Sequence, residues 1–476
     1  MSDRARVLAT GAGITVLCLL ALLAAHSMPW YFNNESYLGG LIFLQLLLAA
    51  VCKFRQGFFA FLIGAFIWAG VDVPMTQAWT SARWVVLAAG ALVGYVLFMH
   101  DRSRRFHAFH LIALFCVLGA FVSALVSTYP QVAVLKAASL FMLFLYAGAG
   151  GRLGIHGREP EFFRGLLVAC EIVTYLTAAM YFVAHREIWG NPNSLGLVMG
   201  VVIAPLLFWG MLIGETRLLQ WRRSAAFFVA VFFLFYSVSR ASIIAGLSSM
   251  VLICLVLRRR KLLLQGAVLA LFMVAALAIL SPPTLSTLTE TSASDVVFKG
   301  HRETGVLGSR KSPWQQTIGV ISQHPWFGSG FGTSPSGKED NGPGKYSSNT
   351  DTNREHGSSY LAILEWVGLL GIVPFATLLL LLLRKIAQVL RWIYRTGYAD
   401  HPAVPIILVL VGGVVHAVFE DWLFAVGYYL TIFFWTLAFA LFDVAAAPAR
   451  SAVPHLDPCG AEEIGSFTAV PSYSRR

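Results

Sequence analysis

The chain is a succession of apolar runs separated by short polar connections. The runs occupy residues 7–25, 38–52, 58–73, 84–99, 108–127, 133–150, 165–183, 195–213, 225–239, 241–258, 262–281, 358–383, 404–418 and 422–444. A helix needs about 20 apolar residues to cross a bilayer, and only helices or closed barrels satisfy their backbone there. Several runs are shorter, and the stretch 225–258 reads as one run or two. The pattern predicts an all-α polytopic integral membrane protein with about 12–14 transmembrane helices. One long polar stretch interrupts it late. Four parts follow: an N-terminal transmembrane block (1–281), a loop (282–356), a C-terminal transmembrane block (357–444), and a tail (445–476). The tail is rich in Ala, Pro and Ser and reads as disordered.

The loop carries structure of its own. In "GSRKSPWQQTIGVISQHPWFGSGFGTS", Ser312, Pro313 and Gln315 form a capping box with proline at the first helical position. Trp314, Ile318 and Ile321 then share a face and Pro325 ends the run. This predicts a short amphipathic helix over the outer membrane surface. Residues 333–353, full of Gly, Ser, Asn and Pro, read as mobile. Farther on, "RKIAQVLRWIYR" at 384–395 sets Ile386, Val389, Leu390 and Ile393 on one face. It reads as a helix on the inner membrane surface, the alternative being a continuation of the preceding span.

Composition narrows the class. The chain is 57% hydrophobic and 12% charged, against about 25% charged in ordinary globular domains. A nucleic-acid-binding reading of the +11 net charge is therefore set aside. Lys and Arg cluster on alternate connections, which places both termini in the cytoplasm and loop 282–356 outside. Arg83, Lys136, Arg186 and Arg240 are exceptions at the outer ends of short connections. The first 26 residues mimic a signal peptide, but the charge alternation needs this helix retained. Of six cysteines, Cys18, Cys52, Cys116, Cys170 and Cys254 lie in apolar runs and Cys459 in the tail. They make neither a disulfide framework nor a zinc site.

Candidate chemistry rests on arginine and histidine. "GTSPSGK" at 332–338 imitates a phosphate-binding loop, but Glu339 stands where a Ser or Thr must hold magnesium, and no strand precedes it. No metal motif occurs, so any phosphate would be held by arginine. His107 and His110 share a face at a cytoplasmic helix end and read as solvated. An Arg inside an apolar segment usually faces a cavity and a partner. Arg240 lies between two runs almost without a loop; snorkelling, or pairing with Glu187 or Asp421, is its structural alternative. Arg186 heads an outer connection. Arg310 stands just before the Ser312 cap, where a guanidinium beside free helix N–H groups makes an anion site; otherwise it is a solvated loop charge. His356 precedes a helix starting near Ser358. The helix dipole there favours neutral imidazole, the form that takes a proton from a hydroxyl. Its alternative is an interfacial histidine satisfied by headgroups or water.

Four stretches in order, "NPNSLG" (191–196), "SRAS" (239–242), "GSRKSPWQQTIGVISQHPWFGSGFG" (308–332) and "HGSSYLAILEWVGLLG" (356–371), resemble the O-antigen ligase and polymerase superfamily of Gram-negative inner membranes. The resemblance implies a GT-C-like membrane fold and a metal-independent, cofactor-free inverting glycosyltransferase. It would move O-antigen from undecaprenyl diphosphate to a lipid A-core hydroxyl at the periplasmic face. The implied partners are that donor, that acceptor and membrane lipid. On the same ground Arg240, Arg310 and Arg186 would bind the diphosphate and His356 would act on the hydroxyl. Many members have His-Asn where this chain has His356-Gly357. An O-antigen polymerase, a protein O-oligosaccharyltransferase and a lipid-linked glycan transporter are the competing readings.

Overall fold

The computed structural model describes residues 57–71, 76–100, 106–214, 216–266, 308–334 and 354–444, with isolated positions between 47 and 53. Among the described residues there is no strand. The helices are α1 (Phe58–Trp68), α2 (Thr76–His100), α3 (Ala108–Leu125), α4 (Pro130–Ile155), α5 (Glu159–Phe182), α6 (Pro192–Leu212), α7 (Arg217–Tyr236), α8 (Arg240–Val256), α9 (Gly308–Gln323), α10 (Ser359–Thr396), α11 (Ala403–His416) and α12 (Tyr429–Val444). Seven of these are long and apolar enough to cross a membrane, and α1, α8, α11 and α12 are shorter apolar helices. The chain is an all-α polytopic membrane protein. The run at 7–25, most of those at 38–52 and 262–281, loop residues 282–307 and 335–353, and the tail lie outside the described residues. Segment 225–258 divides at Ser237–Ser239 into α7 and α8.

Burial sorts the helices into a centre and a lipid-facing rim. Residues 429–441 of α12 are buried on every side, as expected of a helix that is apolar all round. At the rim, Leu111, Leu114, Leu118, Val122 and Leu125 of α3 are exposed at helical spacing, a single stripe suited to lipid. In a bilayer the hydrophobic effect does not pull helices together, so close packing and interhelical hydrogen bonds do. Helix α8 supplies both. Its buried side is Ala241, Ser242, Ala245, Gly246 and Ser249, and Ser249 Oγ donates to Leu408 O of α11 at 2.8 Å.

Three local expectations are corrected. Helix α9 begins at Gly308, leaving Ser312 off the cap and Pro313 inside the helix. Its packed side is Trp314, Thr317 and Ile321, whereas Ile318 is exposed. Residues 384–395 continue α10 rather than lying on the membrane surface. Ile386, Val389 and Ile393 are buried, so the apolar face that suggested a membrane-surface helix packs on protein. His107 and His110 are not simply solvated. His110 Nε2 lies 2.6 Å from Arg152 Nη1, and Arg152, itself buried, pairs with Asp443.

Helix α10 is broken once, at Gly368, with φ 67° and ψ −174°. The break frees ladder groups on both sides, and residues 325–330 take them up. Leu369 N donates to Pro325 O at 2.8 Å and Leu370 N to Trp326 O at 3.1 Å. In return Ser329 N donates to Glu365 O at 2.9 Å and Gly330 N to Trp366 O at 3.2 Å. The segment after α9 is thus sewn into α10 through main chain, which carries Ser334 back to the start of that helix.

Candidate active site

The start of α10 is tied to the turn between α11 and α12. Ser359 N donates to Ala417 O and Glu420 O at 2.9 and 3.0 Å. Ser359 Oγ donates to Glu420 O at 2.6 Å and accepts from Leu423 N at 3.0 Å. These bonds satisfy the first N–H of the helix and bring Asp421 against His356. The His356 backbone N–H and Nδ1 both meet Asp421 Oδ2, at 2.9 and 3.0 Å. Gly357 follows at φ 67°, the left-handed region that Gly and then Asn enter most readily. An Asn at this position would meet the same backbone demand.

His356 is 2% exposed. Its Nε2 lies 2.9 Å from Ser334 Oγ and 3.3 Å from Glu365 Oε1. Ser334 Oγ donates to Glu365 Oε1 at 2.7 Å, so its remaining role toward Nε2 is acceptor. Asp421, as a carboxylate, accepts from Nδ1. Both ring nitrogens therefore carry hydrogen. Burial pulls the imidazole's pKa down, but hydrogen bonds to Asp421 and Glu365 outweigh it and hold it above its ordinary value. The neutral resting imidazole expected from the helix dipole is corrected: two carboxylates in contact outweigh a partial charge at a helix end. Asp421 is itself pulled below the usual carboxylate range; burial opposes that, and the His356 hydrogen bond wins.

Glu365 is fully buried and also takes Arg354 through Oε2. Arg310 sits on the other side, its guanidinium bridging Glu355 and Glu420. Burial pushes Glu420 up to about 7, with Arg310 opposing and Glu355 and Asp421 adding to the rise. Trp314 Nε1 donates to Gly357 O at 3.0 Å, fastening α9 over the histidine.

The predicted residues separate into two places. His356 and Arg310 come together, because Arg310 grips the residue before His356. Arg240 is the first residue of α8. Arg186 instead lines another cavity, of about 510 Å³, with Trp189, Asn191, Tyr236 and Ser237. Of the two acids weighed as partners of Arg240, Asp421 holds His356 and Glu187 accepts from Tyr236 Oη at 3.0 Å. Beside Arg240, Ser239 Oγ lies 2.8 Å from Ser242 Oγ, which reaches His416 Nε2 at 3.2 Å. Trp422 Nε1 donates to His416 Nδ1 at 2.9 Å, which leaves Nε2 as the protonated nitrogen of a neutral ring.

Sequence reasoning passed over Glu365, Glu420, Ser334 and Arg354, and weighed Asp421 only as a pairing partner for Arg240. Two signals were available. Glu365 is an acid inside an apolar run, where ionisable residues are functional by default. "FEDW" at 419–422 sets two acids at the end of another.

No curated protein matches the chain. Residues 225–376, which include Arg240, Arg310, His356 and Glu365, match the family model Wzy_C, described as O-antigen ligase. Over residues 225–376 the chain is thus similar to the O-antigen ligase family.

Proposed function

We propose that the protein is a metal-independent, inverting glycosyltransferase. It moves O-antigen from undecaprenyl diphosphate to a lipid A-core hydroxyl at the periplasmic face of the inner membrane. The observation that carries this reading is the junction at Glu355–Gly357, where Arg310 and His356 meet within the family segment. A lipid diphosphate leaves readily, so it needs cations rather than an added acid. Arg310 and Arg240 receive its phosphates, and Arg186 flanks them from the cavity that Ser237 and Val238 also line. The acceptor oxygen attacks the anomeric carbon from the opposite side as the sugar–phosphate bond breaks. His356 takes the hydroxyl proton at Nε2, held in orientation by Asp421, while the electron pair departs with the diphosphate.

Reconstitution with purified donor and lipid A-core in the presence of EDTA tests this directly. Sugar should appear on lipid A-core at the rate seen without chelator. Appearance on a growing carrier-linked chain or on a protein would instead make the enzyme a polymerase or a protein O-oligosaccharyltransferase. In the same assay Arg240→Lys should lose about 10- to 100-fold, because a point charge does not replace the planar fork on phosphate.

The raised His356 pKa fixes a pH signature. A base held as imidazolium must first lose a proton. Transfer should therefore rise with pH along a limb whose apparent pKa lies above about 6.5, the ordinary imidazole value. Stability runs the other way. The contribution of the His356–carboxylate contacts is complete below the unfolded-state pKa and is lost as pH rises through the folded one. A pH–rate profile that falls across this range would remove His356 from the base role.

A further inference from the structure

The cavity that His356 lines has a volume of about 860 Å³ and holds neither Arg310 nor Arg240. Its wall brings together Arg83 of α2, Lys136 of α4 and Arg354 of the loop end. The first two are the outer-facing cations left over from the charge alternation along the sequence. Around this cavity the hydrogen-bond inventory fails to close among the described residues. Arg83 Nε, Arg354 Nε, Arg354 Nη1 and Trp366 Nε1 are buried with no acceptor among the described residues. Trp366 is 6% exposed and packs edge-on against His356, ring centroids 5.3 Å apart.

Every one of these groups is a donor, and such groups buried without a partner are costly. The carboxylates on the same wall do not supply the acceptor. Glu355 is held by Arg310 and Asp421 by His356. The guanidinium of Arg83 is fixed by its Nη1 bond to Gly427 O at 2.9 Å and by the faces of Phe66 and Trp84. Lys136 Nζ is steadied by Gly332 O. The rest of the wall between α2 and α4 is mostly apolar, with Leu87, Val132, Leu135 and Met142 beside Ser139.

We propose that Arg83, Lys136 and Arg354, with Trp366 Nε1, form an anion subsite for the acceptor, which is therefore a phosphorylated amphiphile. Cations and unmatched donors take phosphate oxygens, while the apolar wall takes acyl chain. The acceptor is assigned here, rather than the donor diphosphate, because His356 opens onto this cavity. The hydroxyl that surrenders its proton must arrive on that side. The identity of the amphiphile rests on the glycosyl-transfer reading above; the anion subsite rests on the geometry alone.

The test compares wild type with Arg83→Gln and Lys136→Gln on two acceptors, intact lipid A-core and the same lipid stripped of phosphate. On intact acceptor each variant should raise the acceptor KM at least about tenfold, the loss expected for one charge-assisted contact. The donor KM and kcat should stay near wild type. On stripped acceptor wild type should already show the penalty, and the variants should add little to it. An equal penalty on both acceptors, or a penalty that falls on the donor KM, overturns the assignment. Arg83→Lys and Lys136→Arg keep charge and should keep most of the affinity; if they behave like the Gln variants, the effect is folding and the subsite is wrong. Binding of intact lipid A-core to purified protein without donor separates the two readings. Binding that needs Arg83 and Lys136 while no transfer occurs sinks the reaction and leaves the subsite. Transfer with phosphate-indifferent binding does the reverse.

Discussion

His356→Gln is expected to lower glycan transfer by about 10²–10⁴-fold, the usual worth of a positioned base, while the protein still binds donor. An amide donates a hydrogen bond but accepts no proton, so it keeps part of the geometry and none of the titration. Glutamine is the better replacement because His356 fills a buried gap between Asp421 and Glu365. His356→Ala leaves two carboxylates facing each other with Arg354 on one of them, and breaking a buried ion pair from one side costs about 3–5 kcal/mol. The Ala variant should therefore show a depressed Tm as well as lost activity, and the Gln variant mainly lost activity. Single-turnover transfer at saturating donor, with Tm measured on the same sample, reads both. Parental rates in His356→Gln would make the histidine a positioning residue.

Gly368→Ala should be more damaging than any other single methyl addition to α10. Its φ of 67° with ψ −174° lies where only glycine rests easily, a strain of about 1–3 kcal/mol for other residues. A Cβ there would also stand 2.4 Å from Trp326 O and 2.5 Å from Gly328 N. Those atoms are backbone, Trp326 O held by Leu370 N and Gly328 N by His324 O, and have nowhere to go. Relief requires the 325–330 segment to leave α10, and Ser334 then withdraws from His356. Both folding yield in detergent and transfer should collapse. Gly165→Ala, in α5 with nothing within 4 Å of the new Cβ, is the control. It should gain up to about 1 kcal/mol from helix propensity. Equal behaviour of the two variants would mean that the seam between the loop and α10 does not hold the site.

Hydropathy revealed the helices because lipid imposes one rule along the whole chain. Each described apolar run became a helix. Arg240, Arg310 and His356 were legible because a charge or imidazole at an apolar boundary needs a reason. Their partners were not. Asp421 reaches His356 only because Ser359 ties α10 to the α11–α12 turn, and Ser334 only because Gly368 opens a helix ladder. Neither bond leaves a periodic trace. The resting charge of His356 was misjudged for the same cause: the local helix dipole was visible in sequence, the distant carboxylates were not. Residues 384–395 show the reverse error, since an amphipathic face does not say whether protein or membrane covers it.

If a diphosphate docks on Arg310 as proposed, Glu420 would give its arrival a proton stoichiometry. With its pKa at about 7 and Arg310 as its counter-ion, it is poised between charged and neutral in the resting protein. A diphosphate that claims Arg310 withdraws the cation that keeps this carboxyl partly ionised. Glu420 then captures a proton, and the entering negative charge is partly cancelled on the spot rather than left bare in a dry site. Binding would become tighter in acid, and its calorimetric heat would carry the ionisation enthalpy of the buffer. Product release would return that proton to the medium. The acid limb that favours docking and the alkaline limb that frees His356 would then enclose a bell, with its summit set by two residues that never touch the same substrate atom.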